Sequence, residues 1–215
     1  ANFGAMLQPY ALKRVLELQG YDVEFIRYKQ QAVYESHKAF SIQRIFAKGI
    51  GAAIGNLLAL PFAMVQDKRM QAFKRMYLQT PDDFVDTIPQ DKDYYLFGSD
   101  QIWNPINTNG FDDIYFGAFP TKEDAKKIAY AASGECIEET EENAKYLTDK
   151  LQNFDAIGVR EESLKRKLQR LTHRQDMQVV VDPTLLADKT ILDELPEKNV
   201  MKSEKYVFFY QLRQS

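Results

Sequence analysis

Apolar positions change their period along this chain. Near the start, Leu7, Tyr10, Ala11, Val15 and Leu18 recur at helical spacing, and Gly20 ends the pattern as a helix C-terminus. Asn2 is placed to cap that helix, and Pro9 is tolerable only near its first turn. Residues 22–28 (DVEFIRY) then alternate as a strand does. Four short apolar runs follow further on, at 94–97, 127–132, 156–159 and 178–181. Helical patterns at 141–154 and 161–171 separate the last three. Strand–helix–strand alternation with short loops predicts a parallel sheet with right-handed crossovers. Residues 184–197 read as a link leading out of this sheet.

The block between the first two strand patterns differs. Residues 41–60 form a helical pattern rich in small residues, which Pro61 is expected to break. A second helix is expected from about 64 to 78, with Phe73, Tyr77 and Leu78 on it. The block, about 38–80, reads as a helical insertion between sheet strands. No charge occurs from Gly49 to Val65, yet the run carries Asn56, Pro61 and three glycines and is short for a membrane-spanning helix. Buried helix packing is the plainer reading and a lipid-facing surface the sharper one.

Composition narrows the function classes. The chain has 215 residues, 45% hydrophobic and 27% charged, enough for one substantial core. The net charge of -3 gives no basic field for nucleic acid. One cysteine, Cys136, precludes an internal disulfide and fits a reducing, cytoplasmic compartment. Its acidic neighbours Glu135, Glu138 and Glu139 oppose a nucleophilic role. Two histidines, His37 and His173, lie far from it in sequence and argue against a zinc site.

Candidate chemistry gathers where strand patterns end. In open α/β sheets, ligands bind at the carboxyl ends of strands. After 94–97 the chain reads Gly98-Ser99-Asp100-Gln101-Ile102-Trp103-Asn104-Pro105. Asp100 can serve as a general base or hold a hydroxyl, or it can simply close an Asx turn. Ser99 and Gln101 are positioning candidates. Trp103, the single tryptophan, can wall a pocket or pack in the core. Asn104 with Pro105 sets the turn. Ser133-Gly134 ends the next strand and can offer N–H groups. Arg160 ends the third; its planar fork can clamp an anion or pair with an acid of the same edge. Glu161 after it suits a helix dipole. Asn2 and Gly4 sit where a helix N-terminus could approach a ligand closely. Asp182-Pro183-Thr184 reads as a structural cap.

Gly98 to Pro105 resembles the GSDQxWN signature of the polysaccharide pyruvyl transferase family. Four other segments agree with that family in order: Asn2-Phe3-Gly4-Ala5-Met6-Leu7-Gln8, Ile128 to Gly134 (IAYAASG, without the usual Phe), Gly158-Val159-Arg160-Glu161-Glu162-Ser163 (with Gly158 where Ser is frequent), and Val181 to Leu186 (VDPTLL). The resemblance implies transfer of a pyruvyl group from phosphoenolpyruvate to a saccharide as a cyclic ketal, in polysaccharide synthesis. It implies no metal or redox cofactor. It implies Asp100 as the catalytic group, with Asn2, Gly4, Ser99, Gln101, Trp103, Ser133 and Arg160 contacting substrate. It also implies two Rossmann-like domains in the manner of GT-B glycosyltransferases. On that footing, residues 1–197 are the first domain without its first strand, and 198–215 open a second. The segment 205–212 reads as that domain's strand, so the piece is expected to be inactive alone. A lipid-linked acceptor, a peripheral contact at the inner membrane face and a homo-oligomer stay open. So do two other readings: a nucleotide-sugar glycosyltransferase of the same architecture, and a catalytically dead saccharide-binding protein.

Overall fold

A computed structural model describes residues 4–28, 50–80, 84–85 and 87–195. Helix α1 (Gly4–Leu18) and the long helix α2 (Ile50–Phe73) precede the sheet. The sheet strands are β1 (Tyr94–Phe97), β2 (Lys126–Ala132), β3 (Ala156–Val159) and β4 (Met177–Val179). They pair in sequence order, β1-β2-β3-β4, and every pairing is parallel. Short helix α3 (Pro105–Thr108) follows β1, α4 (Glu141–Lys150) joins β2 to β3, and α5 (Glu162–Thr172) joins β3 to β4. Short helices α6 (Pro183–Leu186) and α7 (Lys189–Asp193) end the described chain. The expected mixed α/β architecture with a parallel sheet is therefore present. β4 begins one residue earlier than its apolar run and ends at Val179.

Alternation along the strands decides what covers the sheet. Tyr95 is buried on one face of β1, with Phe97 packed against the core there, while Tyr94 and Leu96 are exposed on the other. The first face meets α4 and α5, where Leu147, Leu151, Leu164 and Leu168 close the main core around Ile157 and Val159. Thr140 caps α4, its hydroxyl accepting from the Asn143 N–H at 3.2 Å. A second, smaller cluster joins α1 to the later chain. Tyr10 and Ala11 of α1 pack with Leu78, Ala187 and Ile191, and with the Phe73 and Tyr77 rings.

Two expectations fail locally. Pro61 does not break the helix: α2 runs through it and continues as a π-helical turn, Lys74–Leu78. One proline costs a single hydrogen bond and a steric adjustment, whereas helical residues on both sides each still add a bond. Residues 22–28 form no strand. Their single ladder contact among the described residues is a parallel bridge from Tyr28 to Val85. Periodicity signals a half-buried segment, but a ladder also requires a neighbouring strand. Here the segment is held beside β1 by Lys92–Glu24 at 2.6 Å and by the Tyr21 ring against Tyr94. The expected strand at 205–212, the portion 198–215 and the start of the helical insertion lie outside the described residues.

Candidate active site at the carboxyl edge of the sheet

Four parallel strands bring four chain segments to one edge. Ser99 and Asp100 follow β1, Ser133 follows β2, Arg160 and Glu161 follow β3, and Asp182 lies just past β4. The backbone is drawn tight here. Gly98 has φ +127°, and a Cβ on it would lie 2.0 Å from the Tyr130 carbonyl oxygen. β2 answers with a register shift between Ala129 and Ala132, where Ala131 takes φ +52°. Bulges of this kind re-aim side chains next to functional sites. The Ser133 N–H donates to the Asp100 carbonyl at 3.2 Å, and the Arg160 N–H to the Ala132 carbonyl at 3.1 Å.

On this frame the side chains form one connected network. Arg160 donates from Nε to Glu161 Oε1 at 2.8 Å, and from Nη1 to the Ser99 carbonyl at 3.2 Å and to Asp182 Oδ2 at 3.4 Å. Ser133 Oγ donates to the same Glu161 Oε1 at 3.0 Å. Gln8, from α1, donates to Asp182 Oδ2 at 2.5 Å. Thr184 satisfies Asp182 Oδ1 with its backbone N–H at 3.0 Å and its hydroxyl at 2.7 Å. Partial burial opposes the Asp182 charge, yet the Thr184 and Gln8 hydrogen bonds and the Arg160 charge hold its pKa below the usual value. Burial likewise opposes the Arg160 charge, and the carboxylate of Glu161 outweighs it, raising that pKa.

One atom is left over. Glu161 Oε2 is buried without a hydrogen-bond partner among the described residues, although Oε1 of the same carboxylate has two donors. A buried carboxylate oxygen without a donor is costly, and such an atom calls for a ligand group. Asp100 differs: its side chain is exposed, and Oδ1 accepts from the Gln101 N–H at 2.8 Å, leaving Oδ2 without a partner among the described residues.

The structure sorts the sequence candidates. Asp100, Ser99, Ser133 and Arg160 come together at this edge. Ser99 is buried and touches Arg160 through its carbonyl. Ser133 brings its hydroxyl to the network, but its N–H is taken by Asp100 and is not free for a ligand. Gln101 turns its carbonyl oxygen to Asn104 Nδ2 and Asn107 Nδ2, both at 2.7 Å, and so braces the following turn. Asn104 caps α3 as expected, accepting from the Ile106 N–H at 3.0 Å. Trp103 is a correction. It is 0% exposed, stacked on Phe116 with ring centroids 5.4 Å apart, and donates its indole N–H to the Tyr115 carbonyl. No face of the indole is open to a sugar; the residue anchors the loop after β1 to the core. Gly4 is exposed at the start of α1. Asn2 lies outside the described residues.

Asp182 caps α6 through the Thr184 N–H as expected, but its part in the network, like those of Gln8 and Glu161, escaped the sequence reading. Gln8 and Asp182 are 174 positions apart, so only the fold joins them. Glu161 suggested a helix dipole partner, but its side chain makes no cap and turns to Ser133 and Arg160 instead. The available signal was its place, directly after a strand-end arginine. Of the charged side chains in the network and beside it, Asp100, Glu161 and Asp182 are acidic and Arg160 alone is basic. The edge is thus suited to accepting hydrogen bonds from hydroxyl groups.

A family model described as polysaccharide pyruvyl transferase matches residues 2–213. No curated protein and no solved structure matches the chain.

Proposed function

The chain belongs to the polysaccharide pyruvyl transferase family, and from that premise we propose that it takes part in moving a pyruvyl group from phosphoenolpyruvate to a saccharide as a cyclic ketal. The match across residues 2–213 is the observation that carries this reading. The chemistry makes stated demands. The methylene of phosphoenolpyruvate takes a proton and leaves an oxocarbenium-like carbon. One sugar hydroxyl attacks that carbon and loses its proton, inorganic phosphate departs, and a second hydroxyl closes the ring with loss of its own proton. A base, an acid and cations for the carboxylate and phosphate are required.

We assign the acceptor to the edge described above. Asp100, exposed and half-unpartnered, takes the proton of the attacking hydroxyl or orients it. Glu161, whose side chain is part-exposed, accepts a second hydroxyl of the sugar through its carboxylate. Arg160 holds both the Ser99 carbonyl and the two carboxylates in place, so its charge is largely matched within the protein. An edge with three acids around one arginine repels a small molecule carrying both a carboxylate and a phosphate. The cations and the acid for phosphoenolpyruvate therefore come from elsewhere, in a second Rossmann-like domain facing this edge as in GT-B transferases. The same charge pattern weighs against a UDP-sugar donor held here.

The test is phosphate release by the intact protein, with phosphoenolpyruvate as donor and with UDP-sugars as rivals. Release that depends on both phosphoenolpyruvate and a saccharide is expected. Turnover with a UDP-sugar and none with phosphoenolpyruvate would overturn the proposal.

A further inference from the structure

Among the described residues, helix α2 is anchored through its C-terminal turns. Its last turns pack Phe73 and Tyr77 on Tyr10 of α1, with ring centroids 6.1 and 5.8 Å apart. Of the described side chains from 61 to 69, most face outwards. Phe62 is 68% exposed, and Pro61, Met64 and Val65 are exposed as well. Neighbouring exposed apolar side chains on one helix demand a cover, since scattered single ones would not. No helix among the described residues is long and apolar enough to cross a membrane.

Charge decides what fits. The chain as a whole carries -3, yet from Pro61 to Leu78 there are Lys68, Arg69, Lys74 and Arg75 against the single acid Asp67. Lys68 and Arg69 are exposed, one helical turn beyond Met64 and Val65 on the same side of α2. Apolar side chains followed within one turn by exposed cations match the layering of an anionic bilayer, acyl chains beneath and phosphate above.

We infer that the exposed part of α2 is a membrane-docking surface for anionic lipid, with Phe62, Met64 and Val65 entering the acyl boundary and Lys68 and Arg69 at the headgroup phosphates. The inference is carried by this helix alone and stands whether or not the proposed reaction is correct. It places the protein on a bilayer surface.

Flotation of the intact protein with vesicles tests it. Vesicles of phosphatidylcholine alone are compared with vesicles containing phosphatidylglycerol. Binding to the anionic vesicles at least about tenfold stronger, and weakened by high salt, is expected. Two variants sharpen the result: Phe62→Ser with Val65→Ser, and Lys68→Glu with Arg69→Glu. Each should lower binding about tenfold or more with an unchanged melting temperature, since all four residues are exposed. Absence of binding to either vesicle, binding unaffected by both variants, or a dimer that Phe62→Ser splits would each overturn the inference. The last would mean that protein covers the patch.

Discussion

Glu161 Oε2 and the Phe62 ring are both in the wrong surroundings, in opposite senses. The first is a charged oxygen buried without a donor among the described residues; the second is an aromatic ring left in water. Around Glu161 the protein is over-determined. Strand ends, a bulge, a positive-φ glycine and a network of hydrogen bonds hold the carboxylate where it is. Around Phe62 the described ring contacts of α2 to α1 lie further on, at Phe73, with Tyr77 in the π-helical turn after it. Rigid framing around an unsatisfied polar atom suits a small ligand whose hydroxyls must be aimed. A projecting apolar helix suits a soft, extended partner that needs no aim.

Breaking the rigid region should have the largest effects. Asp100→Asn keeps the turn, because the amide oxygen can still accept from Gln101, but it removes the base. Its rate of phosphate release should fall by about two to four decades with folding unchanged. A near-normal rate would leave Asp100 as a turn residue only. Gly98→Ala should cost about 3 kcal/mol or more in denaturant unfolding, since the Cβ meets the Tyr130 carbonyl and the backbone is at positive φ. The same change at Gly20 (φ +90°), where a Cβ meets nothing within 4 Å, should cost about 1 kcal/mol. Equal losses at the two sites would show that the edge is not built as tightly as described.

How much of this was legible in the sequence follows from which contacts are local. The strands could be read because short apolar runs bounded by turn residues leave little alternative, and strand ends then placed Asp100, Ser133 and Arg160 on one edge. Asn104 and its turn were equally legible, a cap acting within three residues. The network was not. Gln8 of α1 meets Asp182, and Arg160 meets the Ser99 carbonyl 61 positions away, only once the chain has folded. Trp103 shows the converse: an aromatic beside a motif carries no sign of whether its ring faces a ligand or, as here, Phe116. Pro61 and residues 22–28 failed because single-residue and periodic rules are blind to the rest of the helix and to a missing ladder partner.

Smaller effects sharpen the electrostatic side. Arg160→Lys keeps the charge but cannot span Glu161, the Ser99 carbonyl and Asp182 together, so stability should fall by about 1–3 kcal/mol in chemical denaturation. An unchanged midpoint would mean that the guanidinium contributes little to the frame. The pH dependence is gentler still. The folded-state pKa of Asp182 lies below its ordinary value of 3.8. Its ionised form therefore adds stability above that value, and the contribution disappears as pH falls through the lower folded-state pKa. The stability gap between the protein and Asp182→Asn should be widest near neutrality and close on acidification below about pH 4. A gap that stays constant with pH would assign the effect to hydrogen bonds alone.

The proposed function has the carboxyl edge of this sheet receive the saccharide and not the phosphoenolpyruvate. Glu161→Gln separates the two, because the change is isosteric and replaces an acceptor at this carboxylate with a donor. Steady-state kinetics of the intact protein would vary each substrate in turn. The expected result is a KM for the saccharide raised about tenfold, the usual weight of one hydrogen bond to a charged group, with the KM for phosphoenolpyruvate unchanged within about twofold. A raised KM for phosphoenolpyruvate with an unaltered KM for the saccharide would contradict the account.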